Sequence, residues 1–77
     1  MTVGATLRRP TTREREVLAL LATGATDGEI ADVLGLSPAT VQTHVRNAKT
    51  KLGARTRAQA VALAIAHGII APRHERL

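Results

Sequence analysis

At 77 residues the chain makes one small domain, able to bury only about 60–65% of its unfolded surface. It carries 11 Lys+Arg against 6 Asp+Glu, a net charge of +5, and no Cys, Trp, Tyr or Phe. The missing Cys excludes a disulfide framework, a thiolate zinc site and a thiol nucleophile, and the missing aromatics exclude a stacking platform for single-stranded bases. No run approaches the ~18 apolar residues of a membrane span, and residues 1–9 lack the apolar stretch of a secretory signal. A hydrophobic content of 44% argues against disorder. The chain reads as a soluble domain of a reducing compartment with a positive bias.

The elements are all helical. Thr11-Thr12-Arg13-Glu14 has the spacing of a capping box ahead of Val17, Leu18, Leu20 and Leu21, and predicts a helix over about 11–23 stopped by Gly24. A second box, Thr26 to Glu29, opens a short helix over 27–34 carrying Ile30, Ala31, Val33 and Leu34, with Gly35 behind it. Ser37-Pro38 pairs an N-cap with proline at the first helical position and predicts a third helix over 38–52, ended by Gly53. Thr56 to Gln59 repeats the box and opens a fourth helix over 57–67 before Gly68. Residues 1–10 read as a flexible arm, 11–70 as the folded domain and 71–77 as a flexible tail. The turn Gly35-Leu36-Ser37 suits either a helix-turn-helix or a plain helical hairpin.

Charge is unevenly placed. Residues 1–36 hold four bases against five acids, and residues 37–77 hold seven against one. Such a stretch is either a solvated basic face or a surface for a polyanion. The third helix separates these readings. At 100° per residue, Val41, Val45, Ala48 and Leu52 fall within about 60° of one another as a buried stripe. Ala39, Thr43, Arg46 and Thr50 face the other way, with Gln42 and Lys49 on one flank, Thr40, Asn47 and Lys51 on the other, and His44 at the core border. This acid-free face of small residues and hydrogen-bonding groups suits the major groove of a duplex, about 12 Å wide. Gln42, Thr43 and Arg46 are the candidate base readers: Arg matches guanine O6/N7 and Gln matches adenine N6/N7. The flanking groups are placed for phosphates.

The stretch from Thr11 to Ile70 resembles the LuxR-type (GerE-like) helix-turn-helix domain of bacterial transcriptional regulators. The resemblance rests on Thr12-Arg-Glu-Arg-Glu-Val-Leu18, Glu29-Ile-Ala31, Leu36-Ser37, Thr40-Val41, Thr43-His-Val45, Asn47, Lys51-Leu-Gly53, Arg55, Arg57 and Ala60-Val61. It implies an all-α, four-helix fold in which helices two and three form the reading unit and helix four the dimer contact. It implies base contacts at the positions of Gln42, Thr43 and Arg46, and backbone proximity for Thr40, His44 and Lys51. Thr26, Asn47, Lys49 and Arg57 complete the candidate backbone set. Gly28 stands where the family often has a phosphate-binding Lys, and Ala48 and Ala54 replace bulkier aliphatics, implying a thinner core or closer helix approach. Such domains usually follow a receiver or ligand-binding domain, so these 77 residues are expected to be either the C-terminal domain of a longer chain or a single-domain regulator.

Helix four has no polar face before His67. Val61, Ala64 and Ile65 are expected to pack inward, leaving Ala62, Leu63 and Ala66 for a partner; alanines serving as mild surface helix formers are the alternative. No enzyme is expected. Glu14 and Glu16, two apart, do not face each other and read, with Arg13 and Arg15, as a solvated rim. His44, His67 and His74 lack metal-ligand spacing, His67 suits a helix C-terminus, and no phosphate-cradling loop or nucleophile–base pair occurs. The expected partners are double-stranded DNA and a second copy of the chain, with RNA polymerase as a further candidate. No cofactor, membrane or small-molecule ligand is expected for this segment, and a bacterial cytoplasmic, nucleoid-associated location follows. The competing readings are a sigma-factor-like promoter-recognition module and a helical adaptor for an acidic protein.

Overall fold

The computed structural model describes residues 8–71, so most of the predicted arm (1–10) and tail (71–77), including His74, lies outside the described residues. Four helices follow in order: α1 (Thr12–Ala22), α2 (Asp27–Leu34), α3 (Pro38–Leu52) and α4 (Arg57–Ala66). No strand occurs among the described residues. The predicted bounds of α2 and α3 hold, while α1 and α4 are each trimmed to their caps, with Thr11 and Thr23 flanking the first and His67 closing the last. No described helix is long and apolar enough to cross a membrane.

Each start is set by a hydroxyl accepting from an otherwise unpaired N–H. Thr11 Oγ1 accepts from the Glu14 N–H (3.1 Å) while the Thr11 N–H donates to Glu14 Oε1 (2.9 Å). Thr26 and Glu29 repeat this at the same distances. Ser37 Oγ accepts from the Thr40 N–H, with Pro38 in the first turn. The third box is only half formed. Thr56 Oγ1 accepts from the Gln59 N–H, but Gln59 Oε1 reaches past the cap to accept from the Arg55 N–H at 2.6 Å.

The central helix is α3, which packs against all three others. Its buried stripe is the predicted one, Val41, Val45, Ala48 and Leu52, and it divides between two apolar clusters. Val41 and Val45 join Val17, Ile30 and Ala31; Ala48 and Leu52 join Leu18, Ala60, Ala64 and Ile70. Adjacent residues of α1, Val17 and Leu18, therefore anchor separate halves of the core. Three fully buried alanines, Ala48, Ala60 and Ala64, line the meeting of α3 and α4, where small side chains let the backbones approach closely.

Two apolar placements differ from expectation. Val33 is 68% exposed, because it lies on the far edge of the Ile30–Ala31–Leu34 stripe. On α4 the inward stripe is Ala60 and Ala64, and Val61, Leu63 and Ile65 are half-buried against the core at its margins. Leu63 sits about 80° from the centre of that stripe at 100° per residue, near enough for a long side chain to fold back on the core. Only Ala62 and Ala66 of the expected outward set are exposed.

Candidate nucleic-acid interface

The geometry of α3 starts at the turn before it. Gly35 closes α2 in the left-handed region (φ 70°), and the Leu36 N–H then donates to the Ala31 carbonyl at 2.9 Å. This αL termination ends α2 and lets α3 start after three residues, a conformation that costs an L side chain roughly 1–2 kcal/mol. With Ile30 and Ala31 packed on Val41 and Val45, α2 braces the first half of α3 and leaves its other side open. That is the helix-turn-helix alternative rather than a plain hairpin.

Gln42, Thr43 and Arg46 are exposed together on the open side, flanked by exposed Thr40 and Asn47. Arg46 enters no ion pair among the described residues, so its guanidinium keeps its donors for a ligand. The threonines are partly committed. Thr43 Oγ1 donates to the Ala39 carbonyl and Thr50 Oγ1 to the Arg46 carbonyl, each at 3.1 Å. Thr43 thus offers acceptor lone pairs and a methyl group, not a hydroxyl proton. Thr40 and Ser37 share a hydroxyl–hydroxyl bond of 2.9 Å. Lys49 is half-buried on the Gln42 flank.

An acid from the first half of the chain closes each flank. Beside Gln42, the Asp27 carboxylate accepts two hydrogen bonds from Arg57 of α4, at 2.7 and 3.3 Å. The Arg57 bonds hold the Asp27 carboxyl below its usual range against the opposing effect of burial, and the same pair raises the Arg57 pKa. Thr26, the cap of α2, adjoins this corner. On the other flank, Lys51 Nζ donates to Glu14 Oε1 at 2.9 Å, the oxygen that also takes the Thr11 N–H. Burial pushes the Glu14 carboxyl up, but the bonds from Lys51 and Thr11 and the charges of Lys51 and His44 outweigh it and leave the pKa lowered.

The candidate backbone residues therefore divide. Thr40 and Asn47 stand open, while Lys51 and Arg57 are ion-paired within the chain. His44 is half-buried, with Nδ1 shielded and lacking a hydrogen-bond partner, so Nε2 is the nitrogen left for any outside contact. Glu14 corrects the solvated-rim reading. Its side chain is 5% exposed and belongs to a pair bridging α1 and α3, and only Arg13–Glu16 forms the surface pair expected there. These pairs span 37 and 30 residues, beyond any helical period. The one hint in the sequence was that five of the six acids lie before residue 37 and seven of the eleven bases after it. Among the described residues no group of His, Cys, Asp and Glu could hold a metal ion.

Known proteins resemble this chain in sequence and fold. The family profile described as "Bacterial regulatory proteins, luxR family" matches residues 11–64. The transcriptional regulatory protein MctR of Rhizobium johnstonii is 45% identical over 60 residues, covering 78% of this chain and 28% of MctR. The chain thus spans about a quarter of the length of the curated relatives it matches. The solved transcription factor GerE superposes with a TM-score of 0.73 at 36% identity, over 75% of this chain and 87% of GerE. The VqmA–ligand–DNA complex of Vibrio cholera gives 0.73 at 35% identity, over 88% of this chain and 28% of VqmA. With a profile match across most of the chain and the fold of GerE, the protein belongs to the luxR family of bacterial regulatory proteins, as a helix-turn-helix domain.

Proposed function

We propose that this domain binds double-stranded DNA in a sequence-specific way, with α3 in the major groove. The observation that carries the reading is the open, acid-free face of α3, where Gln42, Thr43 and Arg46 stand exposed on a helix braced by α2. VqmA, whose matching region has the same fold, was solved bound to DNA. Gln42, Thr43 and Arg46 read base edges; Thr26, Thr40, His44, Asn47 and Lys49 meet the backbone. Lys51 and Arg57 act there too, each tethered by an acid that fixes its position at the rim. Two copies pair through α4, with Ala62 and Ala66 at the contact and Leu63 at its edge. A two-fold pair sets the reading helices about 34–36 Å apart, which calls for a pseudo-palindromic site.

The test is selection of bound duplexes from a random pool, followed by titration of the selected duplex against salt. The selected pool converges on two related half-sites, and log K falls linearly with log salt by about 0.9 per phosphate neutralised. A pool that stays random after selection overturns the reading.

A further inference from the structure

Arg8 and Arg9 lie just before α1, outside the backbone set proposed for the duplex. Pro10 is buried ahead of the Thr11 cap, and proline keeps the residue before it extended, so Arg9 leaves the helix in a set direction. Both arginines are exposed and enter no ion pair among the described residues. They line a recess of about 200 Å³ with Lys51 and Leu52 at the end of α3 and His67 and Ile69 beyond α4. Three of the six lining residues are cations and none is an acid. The volume falls below the roughly 300–1,000 Å³ of small-molecule sites, while guanidinium forks match the oxygens of a phosphate.

Lys51 fixes where this recess stands relative to the reading face. Its Nζ donates to Glu14 Oε1 at 2.9 Å, which brings the start of α1 to the Asn47–Lys51 flank of α3. Arg8 and Arg9 lead into that start and share the recess with Lys51, so they stand on the same flank. A major groove has a phosphate backbone along each wall. On this flank Thr40 and Asn47 are neutral, and the Lys51 side chain is 17% exposed and shared with Glu14. Arg8 and Arg9 are therefore its open cations. Leu52 and Ile69 give their aliphatic stems an apolar floor, and Lys51 keeps two N–H donors that Glu14 does not use. We infer that this recess is a phosphate site, filled by the backbone of the bound duplex along the Lys51 side of α3, with Arg8 and Arg9 as its principal donors. The inference rests on the proposed placement of α3 in the major groove. Free phosphate has the same chemistry and is a separate arm of the test.

The test uses the 77-residue chain on the selected duplex and on random duplex, with affinity followed across salt. The double variant Arg8→Ala, Arg9→Ala is expected to make the slope of log K against log salt shallower by about 1.8, two contacts at about 0.9 each. Affinity at physiological salt drops on the order of tenfold, alike on both duplexes, and every base preference is kept. The double variant Arg8→Lys, Arg9→Lys keeps the charges and the wild-type slope, which separates an ionic contact from damage to the fold. With the guanidinium nitrogens labelled, the Arg8 and Arg9 Nε–H resonances shift on adding duplex and do not saturate with millimolar inorganic phosphate alone. A wild-type slope in the alanine variant would overturn the inference, as would an equal loss of slope in the lysine variant. Saturation by inorganic phosphate with an unchanged duplex slope would make the recess a free-phosphate site and overturn it too. Random duplex gives the slope whether or not selection converges. A pool that stays random therefore removes base reading by α3, while the slope still decides the recess.

Discussion

Arg46 and Glu14 show how differently two charged residues of one small domain are used. Arg46 is exposed and enters no ion pair among the described residues, so all its donors face outward. Arg46→Ala is expected to cost roughly 1–3 kcal/mol of binding to the selected duplex and to relax one base position. Equal losses on selected and random duplexes would remove its base-reading role. Glu14 instead caps α1 and receives Lys51 from the end of α3 on a single oxygen. Its folded pKa lies below 4.5, so the stability it contributes is fully present above about pH 5 and is lost as pH falls through the folded value, because the unfolded chain takes up the proton first. Glu14→Gln is expected to lower stability at pH 7 by about 1–3 kcal/mol and to flatten the decline below pH 5, as measured by denaturant melts across pH. The capping role of Glu14 was legible from its position three residues after Thr11. Its pairing with Lys51 was not, since no local pattern links residues 37 apart.

At the scale of elements, the turn and the start of α2 set how α3 is offered. Gly35 has φ 70° with open space where a Cβ would stand, so the conformation and not crowding demands glycine. Gly35→Ala is expected to destabilise by about 1–2 kcal/mol, read as a lower midpoint in urea. Gly28 differs: the nearest atom to a Cβ there is Thr26 Oγ1 at 4.0 Å, and its φ is not positive. Gly28→Lys therefore fits, removes a poor helix former and adds a cation beside the reading face. It should steepen the slope of log K against log salt by about 0.9 and strengthen selected and random duplexes similarly. An unchanged slope would place this end of α2 away from the phosphates. Every helix was legible in the sequence because Thr11, Thr26, Ser37, Thr56 and the glycines punctuate it locally. The half-formed box at Thr56 escaped because Gln59 had two backbone N–H groups within reach and took the one at Arg55.

For the whole molecule the property to test is pairing through α4. The core is made of Leu, Ile, Val and Ala and divides into two clusters joined by α1 and α3. Leu63 leans on the second cluster, so a charge there would damage the monomer as well as any dimer. Ala62 is exposed and is the cleaner probe. Ala62→Glu is expected to leave thermal stability within about 0.5 kcal/mol, as for a surface change. It should also reduce sedimentation as a dimer and lower affinity for a two-half-site duplex more than for a single half-site. Unaltered sedimentation and half-site coupling would exclude α4 as the contact.

The amino-acid order by itself determined the four helices, the buried stripe of α3 and the composition of its outward face, because caps, glycine stops and a 3.6-residue period are properties of neighbouring residues. It also located the excess positive charge after residue 36. Only the tertiary structure decided which of those charges stand open. Folding brings Glu14 to Lys51 and Asp27 to Arg57, and leaves Arg46 outside every ion pair among the described residues. Contacts between residues 30 or more apart depend on how helices cross and how closely the alanines of α3 and α4 let them approach. Neither is encoded in a local period. The same packing folded Leu63 against the core, a placement that a helical wheel drawn for α4 alone could not show.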